Sequence, residues 1–251
     1  MRLTSASLGQ GLGGRPEGRP RWLLPVCGSG FLLILVAYVV ISPTGAGHSV
    51  VSPHVGHTTR TGSATAPTPR SVNVSTLDQS VPDSPPPGVT WQIVDTLAIP
   101  FSTTAGPASV VGGIPSGFAH TPTGALIAMA QIVSRISVQP NFMAITETDV
   151  ANTAGKATFS QLVAAGGVGN PPDPSPGTYA QLAGFQFVSY TPTTAVIQLL
   201  SGLPDSSYEV STLTVAWDGT DWQLVFGPAG TVSPNQQVVS SPVGFVIWGG
   251  V

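Results

Sequence analysis

The residues from Trp22 to Ile41 form a run of 20 without a charged side chain. As a helix, 20 residues span about 30 Å, which is the thickness of the hydrocarbon core of a bilayer. No charged residue follows the run before position 60, and four arginines precede it: Arg2, Arg15, Arg19 and Arg21. Basic residues beside a span stay in the cytoplasm. The pattern therefore predicts a cytoplasmic basic tip at 1–21, a transmembrane helix at 22–41 and an extracytoplasmic remainder of the chain.

Two other interpretations of this run remain open. A cleaved signal peptide would use Phe31–Ile41 as its apolar region and the stretch 44–46 as its cleavage site, but the run has the length of a span rather than of a signal. A lipoprotein would use Cys27 as its lipidated residue. The preceding Val26 stands where a small residue is needed, and most of the apolar run follows the cysteine. Both observations favour the single-pass anchor.

Residues 42–89 are rich in Ser, Thr, Pro, Gly and Val and show no sustained periodicity. Such a segment buries too little apolar surface to offset the entropy lost on ordering, so we expect a flexible linker. His48, His54 and His57 lie close together in it and are candidate metal ligands. Neither Cys nor a carboxylate accompanies them, and a solvated spacer without a metal is the simpler interpretation.

Residues 90–251 have the length of one domain and carry clear periodicity. Thr121 and Pro122 suit the N-cap and the first position of a helix, and Pro140 ends it. Its expected apolar face comprises Leu126, Met129, Ala130, Val133 and Ile136.

Shorter elements follow this helix. Thr146–Asp149 resembles a capped first turn of a helix that would reach about position 154, and another helix is expected near 158–165. Strands are expected at 182–190, 195–200, 208–217 and 222–226, and residues 218–221 form a hairpin turn that brings Trp217 and Trp222 together.

Helices followed by antiparallel strands indicate an α+β fold. The helix at 122–138, the short helices at 147–165 and the hairpin at 212–226 together resemble the nuclear-transport-factor-two-like (SnoaL-like) superfamily. That resemblance implies a cone-like domain with helices packed on a curved antiparallel sheet. The string at 106–130, GPASVVGGIPSGFAHTPTGALIAMA, is similar to an uncharacterised actinobacterial family of single-pass membrane-anchored proteins, whose members look like accessory genes of mobile or conjugative elements.

The domain contains few residues and no motifs of the kinds that enzymes use for catalysis. It contains one histidine and no cysteine, and it lacks a nucleophile elbow, a phosphate loop and a zincin motif. Enzymes of the resembled superfamily use an acid or base that faces the cone cavity, so the candidate set is His120 with Glu147 or Asp149. A helix cap and dipole complementation explain the same three residues without chemistry. We therefore expect no enzyme and no cofactor.

Charge excludes nucleic acid as a partner. Only 8% of the residues are charged, and beyond the span four basic residues face ten acidic ones. We expect a membrane-tethered extracytoplasmic scaffold that contacts other membrane or envelope proteins or its own copies. By resemblance, it would be an accessory component of a conjugative or type IV secretion-like transfer apparatus. The alternatives are a module that binds a small apolar ligand in the cone cavity, and a hydrolase or isomerase of the cone fold.

Overall fold

The computed structural model describes residues 77–171, 175 and 177–250. The predicted tip, the predicted span at 22–41 with Cys27, and the candidate ligands His48, His54 and His57 lie outside these ranges. Within the described ranges, no helix combines the length and the apolar character needed to cross a membrane.

In the part of the chain that the structure describes, four short strands precede the first helix. Strands β1 (Val89–Val94) and β2 (Leu97–Ser102) form an antiparallel hairpin. Strands β3 (Ser109–Val111) and β4 (Ile114–Ser116) form a second hairpin, and its turn residues Gly112 and Gly113 adopt the positive φ angles that favour glycine.

Helix α1 spans Pro122–Val138, and its predicted bounds are confirmed. The Thr121 hydroxyl accepts a hydrogen bond from the Gly124 amide at 3.0 Å, which is an N-cap interaction. The helix is buried on more than the predicted face, since 14 of its 17 residues are buried. It packs against β2 and also against strands of the main sheet. This double contact explains why Gln131 and Arg135 are buried with the apolar residues.

The predicted start of the second helix is wrong. Helix α2 spans Phe142–Asp149, so Thr146–Asp149 forms its end rather than its first turn. The Thr146 hydroxyl donates to the carbonyl of Phe142 at 2.8 Å instead of capping a new helix. Helix α3 spans Ala154–Ala164 and is capped by Thr153.

The remaining strands form an antiparallel sheet, and the four predicted strands are present. They are β5 (Gln181–Thr191), β6 (Thr194–Gly202), β7 (Tyr208–Trp217) and β8 (Trp222–Val225). The short strand β9 (Asn235–Val239) pairs with β7, and β10 (Val246–Ile247) pairs with β5 at the opposite edge. Trp217 and Trp222 are register partners, and their ring centroids lie 5.5 Å apart.

The main core lies between α1 and the sheet. Fully buried side chains of the helix, such as Leu126 and Met129, belong to one cluster with Ile197 and Val215 of the sheet. Three helices and a largely antiparallel sheet make the described domain α+β, as predicted.

Candidate functional site

The only histidine of the domain is held by an aromatic stack and a backbone hydrogen bond. His120 precedes the N-cap of α1, and its ring stacks on Trp217 with a centroid separation of 4.1 Å. Its Nε2 atom is hydrogen-bonded to the carbonyl oxygen of Pro192. Within the described ranges, none of its hydrogen bonds reaches a carboxylate. The structure therefore does not form the acid–base pair that the candidate set requires.

Glu147 lies on the surface and pairs with a lysine. Its Oε2 atom lies 3.5 Å from Nζ of Lys156, and the Glu147 side chain is 60% exposed. The same Nζ donates to the carbonyls of Glu147 and Val150 at 2.7 and 3.1 Å. Lys156 thus satisfies carbonyl groups at the C-terminus of α2 and places a positive charge at the negative end of the helix dipole.

Asp149 is the unusual member of the candidate set. It is only 7% exposed, and its Oδ2 atom has no hydrogen-bond partner. The nearby buried Arg135 is engaged elsewhere: its Nε donates to Gln131 at 2.8 Å and its Nη1 to the carbonyl of Gly113 at 3.2 Å. The carboxyl group therefore lies buried without a direct ion pair.

This environment favours the protonated acid. Burial raises the pKa of Asp149 from 3.8 to about 7, and the negative charge of Asp221 acts in the same direction. The positive charges of Arg135 and Lys156 oppose the shift. A lone carboxyl group with this pKa can exchange a proton near neutrality, but His120 is not hydrogen-bonded to it.

Metal binding finds no support in the described part of the chain. No group of three or more His, Cys, Asp and Glu side chains is placed there to hold an ion.

An apolar groove opens at the end of the sheet where β5 begins and β6 ends. Its volume is about 560 Å³, and we call it the apolar groove. Its main walls are Pro85, Pro86, Trp91, Leu182, Ile247 and Trp248. No residue that lines it carries a charge.

Two packed indole rings belong to the lining of the apolar groove. Trp91 of β1 meets Trp248 edge to face, with centroids 4.9 Å apart. Trp248 in turn packs edge to face on the buried Phe185 at 5.5 Å. These contacts fix the rings before any ligand arrives. Gln181 also lines the groove, but its amide donates to the carbonyl of Thr96 and accepts from the amide of Ala98. Its polar atoms are thus already satisfied.

A proline-rich segment completes one wall. Residues 77–88, which we call the strap, fall in the predicted linker, yet they lie against the domain. Gln79 donates to the carbonyl of His120 at 2.8 Å and accepts from the Tyr190 hydroxyl at 2.5 Å. At the other end of the strap, Pro86 is buried. The strap therefore connects the surroundings of His120 with the apolar groove.

Comparison with known proteins gives one match. A family model described as "Domain of unknown function (DUF8175)" matches residues 55–247. The chain belongs to this family. Comparisons with curated proteins and with solved structures find no match.

The DUF8175 match contains the strap, Trp91 and Asp149, and it ends one residue before Trp248. It starts at position 55, inside the stretch 42–89 that the sequence predicts to be a linker. The sequence did not reveal the groove, because its walls come from four separate parts of the chain. The only available signal was the concentration of Pro85–Pro87 immediately before Trp91.

Proposed function

We propose that this member of the DUF8175 family is a membrane-tethered extracytoplasmic domain that holds other envelope proteins by direct contact at the apolar groove. The observation that carries the proposal is an open, uncharged groove lined by two indole rings that pack edge to face. Interface cores are depleted in charge and enriched in aromatic residues, and the groove has both properties. Pre-ordered rings also reduce the entropy lost when a partner binds.

The distribution of charge supports contact rather than long-range attraction. The described residues include nine Asp and Glu side chains against two basic ones. Arg135 is 3% exposed, and Lys156 is bonded to α2. The described surface therefore offers little positive charge for attraction to phosphate groups or an anionic membrane.

In this proposal, residues 22–41 form a single-pass anchor and the N-terminus lies in the cytoplasm. The resemblance to the SnoaL-like superfamily implies that the sheet curves around the helices like a cone. The resemblance to the family of membrane-anchored proteins implies that the protein is an accessory component of a conjugative or type IV secretion-like apparatus. Detection of the intact N-terminus in membrane fractions tests the anchor, and recovery of a shortened, soluble chain would contradict it.

A small apolar ligand is the second candidate, because the groove volume of about 560 Å³ lies within the usual range for small-molecule sites. We propose no catalytic function. The His120 ring is stacked on Trp217 and bonded to a carbonyl, and Glu147 is paired with Lys156.

Site-specific crosslinking tests the contact proposal in the full chain within its native membranes. A photoreactive amino acid replaces Ile247, which lines the groove and is 59% exposed. The control position is Val238 on β9, which is 58% exposed and does not line the groove. We expect a discrete protein adduct from position 247 and none from position 238. Equal adduct patterns at both positions, or no protein adduct at position 247, would refute contact at the groove.

A further inference from the structure

The geometry points to one class of partner for the apolar groove: an extended, proline-containing polypeptide segment with basic residues beside its prolines. This inference rests on the proposed function and specifies its ligand. Four features carry it, namely the shape of the walls, the size of the groove, the state of its polar atoms and the charge around it.

The walls suit proline rings. Trp91 and Trp248 present two indoles at an interplanar angle of 61°, and Pro85 and Pro86 stand beside them. Proline-rich segments adopt the polyproline II conformation without a partner, so they lose little entropy when they enter an aromatic-lined groove. Pro85 and Pro86 line the same groove as the two indoles, so the site already combines proline and aromatic side chains.

The size of the groove limits the ligand to a few residues. A volume of about 560 Å³ lies within the range of small-ligand sites. A helix with its side chains is about 10 Å wide and presents a long ridge, which demands a longer and wider surface. An extended segment can place one or two rings in the groove and leave its remaining residues at the rim.

The polar atoms disfavour ligands that need side-chain hydrogen bonds deep in the groove. Gln181 has both ends of its amide engaged with Thr96 and Ala98. An ionised group in the groove would lose its hydration without a compensating partner. Proline has no amide hydrogen to satisfy, so it loses less on burial than other residues of an extended chain.

The surrounding charge favours basic flanks. Asp83 is exposed on the strap, two residues before Pro85. The described part of the chain as a whole is acidic, with nine Asp and Glu side chains against two basic ones that are committed elsewhere. A positive residue beside the proline core meets a favourable potential, and a negative one is repelled.

Three synthetic peptides test this with the full chain in detergent micelles. The probe is a dye-labelled peptide of alternating alanine and proline with an arginine at each end. One control replaces the prolines with glycine, and the other replaces both arginines with glutamate. We expect fluorescence polarisation to detect saturable binding of the probe, with both controls weaker by about tenfold, a difference of 1.4 kcal/mol.

Variants of the chain locate the binding site. Trp91→Ala and Ile247→Ser should each weaken binding of the probe by about tenfold, the loss typical of central interface residues. Val238→Ser, a matched exposed position outside the groove, should leave binding unchanged. Thermal unfolding of each variant reports whether it folds, and Ile247→Ser is the informative variant if Trp91→Ala unfolds.

The outcomes separate this inference from the proposed function. Equal binding of the probe and its glycine control, or binding that Ile247→Ser does not weaken, would overturn the proline class. A discrete crosslink at position 247 with no binding of the probe would also overturn it while the contact function stands. Saturable binding of an uncharged apolar dye, displaced by none of the peptides, would overturn it in favour of a small ligand.

Discussion

The imidazole of His120 lies flat against the indole of Trp217, with the two planes inclined by 11°. Trp222 flanks the same imidazole at 5.8 Å, and the indole Nε1 of Trp222 donates to the carbonyl of Ala119 at 3.0 Å. This histidine therefore joins the start of α1 to the hairpin between β7 and β8.

Removal of this stack should lower stability. For His120→Ala we expect a loss of about 1 kcal/mol in the free energy of unfolding, since aromatic pairs contribute roughly 0.5–1.5 kcal/mol beyond burial. His120→Phe retains the stack and should lose less. Urea unfolding followed by tryptophan fluorescence gives both values. Equal losses for the two variants would show that the stack contributes nothing.

Asp149 should make stability depend on pH. Its pKa is about 7 in the folded domain and 3.8 when unperturbed, so the folded state retains its proton where the unfolded state has lost it. The contribution of Asp149 to stability is therefore greatest at low pH, falls as pH rises from about 4 to 7, and is constant above that range. Over this pH range, the pKa shift of Asp149 corresponds to a change of on the order of 4 kcal/mol in the free energy of unfolding.

Asp149→Asn removes this titration and should flatten the profile between pH 4 and 7. Burial also raises the pKa of Glu209, with the Ser211 hydrogen bond opposing the shift, so a smaller slope of the same sign should remain. Glu147→Gln is the control, because that side chain is exposed. The measurement is urea unfolding at a series of pH values, and an unchanged slope in Asp149→Asn would contradict the assignment.

Asp221 connects two distant parts of the chain. Its carboxylate accepts hydrogen bonds from the amides of Gly117 and Phe118 at 2.6 and 3.0 Å, and from the amide of Trp222 at 3.0 Å. Asp221→Ala leaves these donors unsatisfied and should cost about 1–3 kcal/mol.

Asp218 provides the matched control for Asp221. It belongs to the same turn, but its carboxylate accepts only from the local amides of Thr220 and Asp221, and it is exposed. Asp218→Ala should therefore cost less than Asp221→Ala in thermal unfolding. A larger loss for Asp218→Ala would show that the long-range bonds contribute less than the turn.

Gly124 has no room for a side chain. A Cβ atom at this position would overlap the carbonyl oxygen of Ala119. Gly124→Ala should therefore destabilise the domain by about 1–3 kcal/mol, although alanine favours helices more than glycine does. Gly169→Ala is the control, because a Cβ there meets no atom within 4 Å. Thermal unfolding that shows Gly124→Ala as stable as Gly169→Ala would contradict this close approach.

The elements that the sequence predicts correctly are those whose signals lie within a few positions of one another in the chain. Thr121 and Pro122 mark the start of α1, and Asp218–Asp221 marks the hairpin between β7 and β8. In both cases the decisive side chains bond to nearby backbone atoms or fit a local dihedral requirement, so spacing is sufficient. Trp217 and Trp222 meet because the turn between them sets their register.

The prediction for α2 failed because a cap and a helix end use the same residue types. Thr146 is fully buried, and burial depends on packing that the local sequence does not record. The acidic side chain of Asp149 then falls at the negative end of the helix, an arrangement that local preference disfavours. The raised pKa of Asp149 likewise depends first on its burial by the fold and then on Asp221, which lies 72 positions further along the chain.

The apolar groove brings together Pro86, close to the start of the described chain, and Trp248, close to its last residues. The end of the strap and the last described residues are therefore neighbours in space, although more than 160 positions separate Pro86 from Trp248 in the sequence. A short loop from the last described residues to β1 would allow a circularly permuted version of the domain that lacks the strap, with a new opening at an exposed turn such as Gly219. The strap starts beside His120 and Tyr190, where β5 ends, whereas the last described residues lie at the groove, where β5 begins. The strap therefore carries the chain along the length of β5 before the first strand starts.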